Sequence, residues 1–345
     1  MIPVDSAYRT LTTACAPFRA GSRFGALPDV RFDVVAGQIG LPGQLLPGAD
    51  DLTAASYTER LHAALDGDGY LVTVRHPLFL DFTVWAQVRA GLTELWKQWG
   101  FPIQPVLTEL AIGNCFTLRT QPVPRRATAL WVLSGSVRVD GTVIKAGDMW
   151  QSPPGAMHTQ EEYENGLVLR VHAPMDADLP GDELKGMLAD LLDRTSGPNP
   201  PMPHSPWPPP VRSDGSTAPL PDLESSGQRV RELLAGPELR RHRKMAWLRR
   251  VSAGGLEPVP APRKPTELSP SDIVTIVHPV HRMDNDNEWL WAGNGHVFPV
   301  RGTLGDRILD QLQQGPCSIA DLCRPHPGVL GLLRMLYSIR VIDHA

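Results

Sequence analysis

His158 ends the run GDMWQSPPGAMH, set just past a Pro-Pro-Gly turn. An imidazole placed there can ligate a metal through a ring nitrogen, carry a proton, or hydrogen-bond across a polar cavity. Ligation needs partners, because one neutral donor does not hold a divalent ion against water. The residues whose chemistry suits that role are His172 in LVLRVHAPM, Glu109 in VLTELAI, Cys115, and the adjacent Glu161 and Glu162. Spacing selects none of them. His172, on the following strand, and Glu109 are the two that would complete a rebuilt metal site with His158. Between Cys115 and His158 the only carboxylates are Asp140 and Asp148, and both fall in turn sequences. Cys115 and His158 could form a nucleophile and base, although two such residues on adjoining strands more often pack together. Cys317 and Cys323 have no second pair, which argues against a zinc site. There is no phosphate-binding glycine loop and no Gly-x-Ser-x-Gly elbow.

The elements that must position these side chains are readable from periodicity. From Pro105 to Pro174 short β-type segments (VLTELAI, NCFTLRT, ALWVL, SVRV, TVI, DMWQS, LVLRVHA) alternate with turn signals. Ser134-Gly135, Asp140-Gly141, Gly147-Asp148 and Asn165-Gly166 each predict a chain reversal. Many short antiparallel strands at this spacing predict a closed sandwich or jelly roll. Before it, a helix is expected near Thr58 to Leu65 and a strand over Tyr70 to Val74. A stronger helix follows in DFTVWAQVRAGLTELWKQWG, where Trp85, Val88, Leu92, Leu95, Trp96 and Trp99 make one apolar face.

Beyond the strands, a helix is expected over Asp182 to Leu192, followed by a linker in which eight of the thirteen residues from Pro198 to Pro210 are proline. Gly227 to Arg250 reads as one helix. Its LRRHRKMAWLRR run is either a solvated face or a patch for an acidic partner. Helices at Leu304 to Gln313, Ile319 to Cys323 and Val329 to Tyr337, with a strand at Arg340 to Ile342, predict a winged-helix module. Its last helix offers mainly apolar residues and only Arg334 and Arg340 as cations, so packing is expected of it and not DNA reading.

The chain has 345 residues, 42% of them hydrophobic, and a formal net charge of −4. That length allows two or three domains with their own cores. The charge gives no bulk attraction to nucleic acid or an anionic membrane. No apolar run approaches the roughly 20 residues of a membrane helix, and the N-terminus lacks a signal-peptide pattern. The four scattered cysteines are expected to be reduced thiols in a cytoplasmic protein.

Taken in order, RLHAALDGDGYLVTVRHP, DFTVWAQVRAGLTELWKQWG, ALWVLSGSVRV, IKAGDMWQSPPGAMH and GTLGDRILDQLQQGPCSIADL resemble the JmjC-type ribosomal oxygenases, the bacterial cupin-like group. The resemblance runs through the whole chain. It implies an α+β fold: a double-stranded β-helix (JmjC/cupin jelly roll) with flanking helices in residues 1–175, a helical dimerisation region with the Pro-rich linker in 176–265, and a winged-helix-like domain in 266–345. It also implies iron(II) and 2-oxoglutarate as cofactors, a peptide or protein substrate, and a homodimer. The departures are at the site. Where the family has its early ligand pair this chain has Pro122 and Pro124, neither of which can ligate. The basic residue that holds the 2-oxoglutarate carboxylate falls near Val137, leaving Arg138 as the cofactor-binding candidate one position away. Two functional readings follow. In the first, the protein has lost iron and 2-oxoglutarate hydroxylation, carries no cofactor, and binds a peptide or protein segment, serving as accessory to a modifying enzyme. In the second, it is an active hydroxylase with relocated ligands, His158 with His172 or Glu109. Nucleic acid and membrane partners are not expected.

Overall fold

A computed structural model describes residues 2–21, 28–120, 126–152, 159–174, 180–195, 223–264, 267–286, 288–324 and 328–345. His158, Pro122 and Pro124 lie outside the described residues. The chain forms two compact units, one of residues 1–177 with 248–345 and one of 178–247.

The first unit begins with α1 (Val4–Arg19), β1 (Asp29–Val34), β2 (Gly37–Gln38), α2 (Ala54–Ala64), β3 (Tyr70–Arg75) and α3 (Phe82–Trp99). The α3 helix starts because Asp81 accepts hydrogen bonds from the Thr83 and Val84 amides, at 2.8 and 3.1 Å. Of its periodic stripe, Trp85, Val88, Leu92 and Leu95 are buried as the spacing predicts, and Val84 is buried with them. Trp96 and Trp99 lie at its edge, half-buried. Neither α1 nor the β1 to β2 hairpin was marked in the sequence.

Next come β4 (Leu107–Asn114), β5 (Phe116–Thr120), β6 (Arg126–Val139), β7 (Thr142–Lys145), β8 (Met149–Ser152) and β9 (Thr159–Pro174). All nine strands belong to one antiparallel sheet in the order β2-β1-β3-β4-β9-β6-β7, with β5 on β9 and β8 on β6. The sheet folds over on itself because β6 and β9 are long and change partners along their length. Their outer parts pair with β8 and β4, and their distal parts pair with β7 and β5. One face of the sheet packs under α1, α2 and α3 in the largest core. The opposite face closes on itself around Leu71, Ala111, Leu130, Val132, Val137, Val139, Ile144, Tyr163 and Val168. That enclosed face is the sandwich interior.

Two expected reversals are corrected here. Ser134-Gly135 and Asn165-Gly166 do not turn the chain; both lie inside continuous strands, where the β6 to β9 register shifts between Val132 and Ser136. Gly135 has φ 69°, and a Cβ there would stand 2.0 Å from the Asn165 carbonyl oxygen. The glycine permits a bulge and a close backbone crossing.

Residues 178–247 hold α4 (Pro180–Thr195), α5 (Leu223–Ala235) and the first part of α6 (Pro237–Ala253), with Leu191, Leu233 and Leu239 forming their own small core. The single helix expected over Gly227 to Arg250 is broken into two at Gly236-Pro237, where proline suits the first position of α6.

The C-terminal part has β10 (Ile273–Ile276), β11 (His281–Asn285), β12 (Glu288–Gly293), β13 (His296–Val300), α7 (Leu304–Gln314), β14 (Cys317–Ser318), α8 (Ile319–Cys323), α9 (Val329–Ser338) and β15 (Ile342–His344). Its three helices fall where periodicity placed them. They surround a second core with the β14-β10-β15 sheet, beside a separate β11-β12-β13 meander. Ala253 and Leu256, just before this part, are buried in the core beneath the large sheet.

Candidate functional site

Antiparallel pairing sets one row of side chains across the sandwich interior. Arg75 on β3 stands opposite Glu109 on β4, Glu109 opposite Arg170 on β9, and Arg170 opposite Leu130 on β6. Residues directly opposite each other share a face, so all four point inward. The next row carries His172 and Thr128, also directly opposed.

These residues form a connected ion-pair cluster. Arg75 Nε donates to Glu109 Oε1 at 2.9 Å, and Arg170 Nη1 donates to Glu109 Oε2. Arg170 Nη2 donates to the Tyr163 hydroxyl at 2.8 Å, and that hydroxyl donates to Glu161 Oε2. Arg170 Nε lies 3.3 Å from the same Glu161 oxygen. His172 Nδ1 meets Thr128 Oγ1 at 2.9 Å, and its Nε2 is 3.7 Å from Glu109 Oε2. Glu109, Glu161 and Arg170 are at most 4% exposed, whereas Arg75 reaches the mouth of the interior with its side chain 36% exposed. One buried guanidinium, Arg170, therefore faces two buried carboxylates, and a second, Arg75, closes on Glu109 from the half-exposed mouth.

The protonation states follow from that balance. Burial by itself would push the Glu109 carboxyl up, but Arg170, His172 and Arg75 outweigh it and hold the carboxyl well below the usual carboxylate range. Burial disfavours the Arg170 cation, and Glu161, Tyr163 and Glu109 more than restore it. Burial is the largest influence on Tyr163, whose phenol is pushed well above its ordinary value and stays neutral.

Of the sequence-derived candidates, Glu109 and His172 are brought together and His158 lies outside the described residues. Arg138 is turned the other way. Its neighbours Val137 and Val139 point into the interior, so Arg138 stands on the outer face, 46% exposed, with Nη1 3.3 Å from Glu162 Oε2. Cys115 is an exposed thiol at the β4 to β5 turn. Arg170, Tyr163 and Arg75 were missed. The available signal was parity: in LVLRVHA, Arg170 sits two residues before His172 and so shares its face.

These donors do not fit an iron(II) and 2-oxoglutarate centre. Both oxygens of Glu109 already accept from guanidiniums, Glu161 Oε2 is held by Tyr163 and Arg170, and a dication among them would face the buried Arg170 charge. Among the described residues no group of three or more His, Cys, Asp or Glu side chains is placed to hold a metal ion.

Solved structures of ribosomal oxygenases are among the structural neighbours of this chain. YcfD, a ribosomal oxygenase from Escherichia coli, is similar at 14% identity over 80% of this chain and 78% of that one, with a TM-score of 0.40. Its complex with cobalt and succinic acid gives 15% identity, 79% and 78% coverage and a TM-score of 0.42. KdgF from Halomonas sp. is similar over 23% of this chain and 76% of its own, at 19% identity and a TM-score of 0.19. No family model matches the chain, and no curated protein matches it. Likenesses at these identities and TM-scores assign no residue a role here.

Proposed function

We propose that this protein is a cupin-like, JmjC-type scaffold that works by binding a peptide or protein segment and does not hydroxylate one by iron and 2-oxoglutarate chemistry. The observation that carries the reading is the buried cluster of Arg170, Glu109, Glu161 and Tyr163, which commits the interior carboxylates to an internal cation. The resemblance in sequence is to proteins that act on protein side chains, so the partner proposed is a protein segment. Self-association through the helical region of 176–265 and a winged-helix role for 266–345 belong to the same proposal. No described helix is long and apolar enough to cross a membrane.

A second reading is favoured by one contact, the approach of His172 Nε2 to Glu109 Oε2 at 3.7 Å. In it, His158 is a ligand and His172 or Glu109 completes the relocated set. Elemental analysis of protein purified without chelator, followed by anaerobic iron(II) titration, separates the two. The binding reading expects no stoichiometric metal and no consumption of 2-oxoglutarate. Micromolar one-to-one iron binding with turnover, both lost in His158→Ala, establishes the second reading instead.

A further inference from the structure

A cavity of about 450 Å³ opens in the first unit, among the end of α6, residues 257–262, β13 and α9. It shares no residue with the ion-pair cluster, so it stands outside the function proposed above. Val259, Phe298, Met335 and Ile339 give it apolar walls. Ile339 is buried, Val259 and Phe298 are half-buried and Met335 is 43% exposed, so the walls run from the core out to solvent. The volume lies in the range of small-molecule pockets.

The charge of the lining is one-sided. Its carboxylate, Glu257, accepts from Nε of the buried Arg250 at 3.3 Å and is neutralised by it. Its cation, Arg249, is exposed and makes no hydrogen bond or ion pair with a described residue. His296 adds no charge at pH 7. Its Nε2 donates to the Pro260 carbonyl at 3.0 Å, and although that bond favours the imidazolium, burial first and then Arg340 and Arg249 lower its pKa below the ordinary value. Both guanidiniums are therefore close enough for their positive field to reach the cavity. Arg340 is committed elsewhere, donating to the Ala261 carbonyl at 2.8 Å with its guanidinium over the Phe82 ring. Arg249 is the cation left for an occupant.

These features narrow the occupant. A cation would meet Arg249 and Arg340 with like charge, and a wholly apolar molecule would strip water from Arg249 with nothing in return. A small dianion such as phosphate would leave the apolar walls uncovered and find a single guanidinium. The fork of one arginine matches one carboxylate. We infer that this cavity binds a small monocarboxylate with an apolar body, its carboxylate on Arg249 and its body against Val259, Phe298 and Met335.

The test is calorimetric titration of the full-length protein with 3-phenylpropionate and octanoate, beside 3-phenylpropanamide and acetate. One-to-one binding of at least one of the long acids is expected, with 3-phenylpropanamide about tenfold weaker than 3-phenylpropionate and acetate weaker still, since it has no body to bury. Arg249→Gln should bring acid and amide to within about twofold of each other. Arg243→Gln, at an exposed arginine of α6 outside the lining, should leave their difference unchanged. The His296 ring protons, followed by NMR, should titrate at higher pH with the acid bound, because a carboxylate beside Arg249 offsets the charge that lowers this imidazole. Failure of both long acids to bind at millimolar concentration overturns the site, as does equal binding of acid and amide. An equal loss in Arg243→Gln and Arg249→Gln overturns it in favour of diffuse attraction to a basic helix, and acid binding that leaves the His296 titration unmoved places the carboxylate elsewhere.

Discussion

Arg170 decides the chemistry of the interior, because it is the cation that the two buried carboxylates share. Removing it takes the buried cation from Glu161 and leaves Glu109 with only the half-exposed Arg75. We expect Arg170→Met to lose about 3–5 kcal/mol in urea unfolding at pH 7, and Glu109→Gln to lose a comparable amount by stranding the guanidiniums. The double variant should lose less than the sum of the two, because each single change already breaks the same contact. The pH dependence has a definite sign. Glu109 is held below its ordinary value in the folded protein, so its contribution is complete above the unfolded value of roughly 4.3 and is lost as pH falls below it. Urea unfolding at pH 3 and pH 7 should show a smaller acid loss in Glu109→Gln than in the native protein. At this scale the sequence disclosed half of the site. Glu109 and His172 were visible as donors of the right type, whereas Arg170 was not, because an arginine within an apolar strand reads as neither ligand nor core until its partners' parity is considered.

The bend shared by β6 and β9 makes an interior possible, and its sequence was legible with the wrong sign. Ser-Gly and Asn-Gly pairs are what tight hairpins require, since both reversals and bulges use the left-handed region of backbone space. Local residue preference cannot separate the two outcomes; the partner strand does, by continuing hydrogen bonding past the bulge. At Gly135 that partner comes so close that any side chain meets the Asn165 carbonyl. Gly135→Ala should therefore cost about 2–4 kcal/mol, combining left-handed strain with displacement of β9. Thermal unfolding should register the loss. An alanine variant as stable as the native protein would mean that the two strands do not cross there. By contrast, α3 and the three C-terminal helices were legible because 3.6-residue periodicity over ten or more residues, or a cap such as Asp81, fixes a helix without reference to its neighbours.

At the scale of the molecule, the C-terminal part has its own core yet belongs to the same compact unit as the large sheet, and Arg89 is one of the residues that join them. Arg89, on α3, lies over the Trp85 ring, donates to the Ser252 carbonyl at 3.0 Å and to Asn294 Oδ1, and meets His278 Nδ1 at 3.1 Å. Asn294 in turn donates to the Ile339 and Arg340 carbonyls. No motif announces this joint, since Arg89 and Asn294 are 205 positions apart and meet only in the tertiary fold. The groups facing His278 are Arg89, Arg263, Asp343 and the Phe82 ring. Burial first, then Arg89 and Arg263, push His278 down to about 4, so it is neutral at pH 7 and accepts from Arg89. Below its unfolded value of roughly 6.5 the unfolded chain binds a proton that the folded one refuses. Stability is then lost as pH falls from 6.5 toward 4, by at most about 1.4 kcal/mol per pH unit. Hydrogen exchange should show β15 and α9 opening together with β4 and β9 at pH 7.5, and ahead of them at pH 5. His278→Gln, which keeps an acceptor but does not titrate, should hold the two parts together at both pH values. Arg89→Ala should part them at both, and uncoupled opening in the native protein at pH 7.5 would place the joint elsewhere.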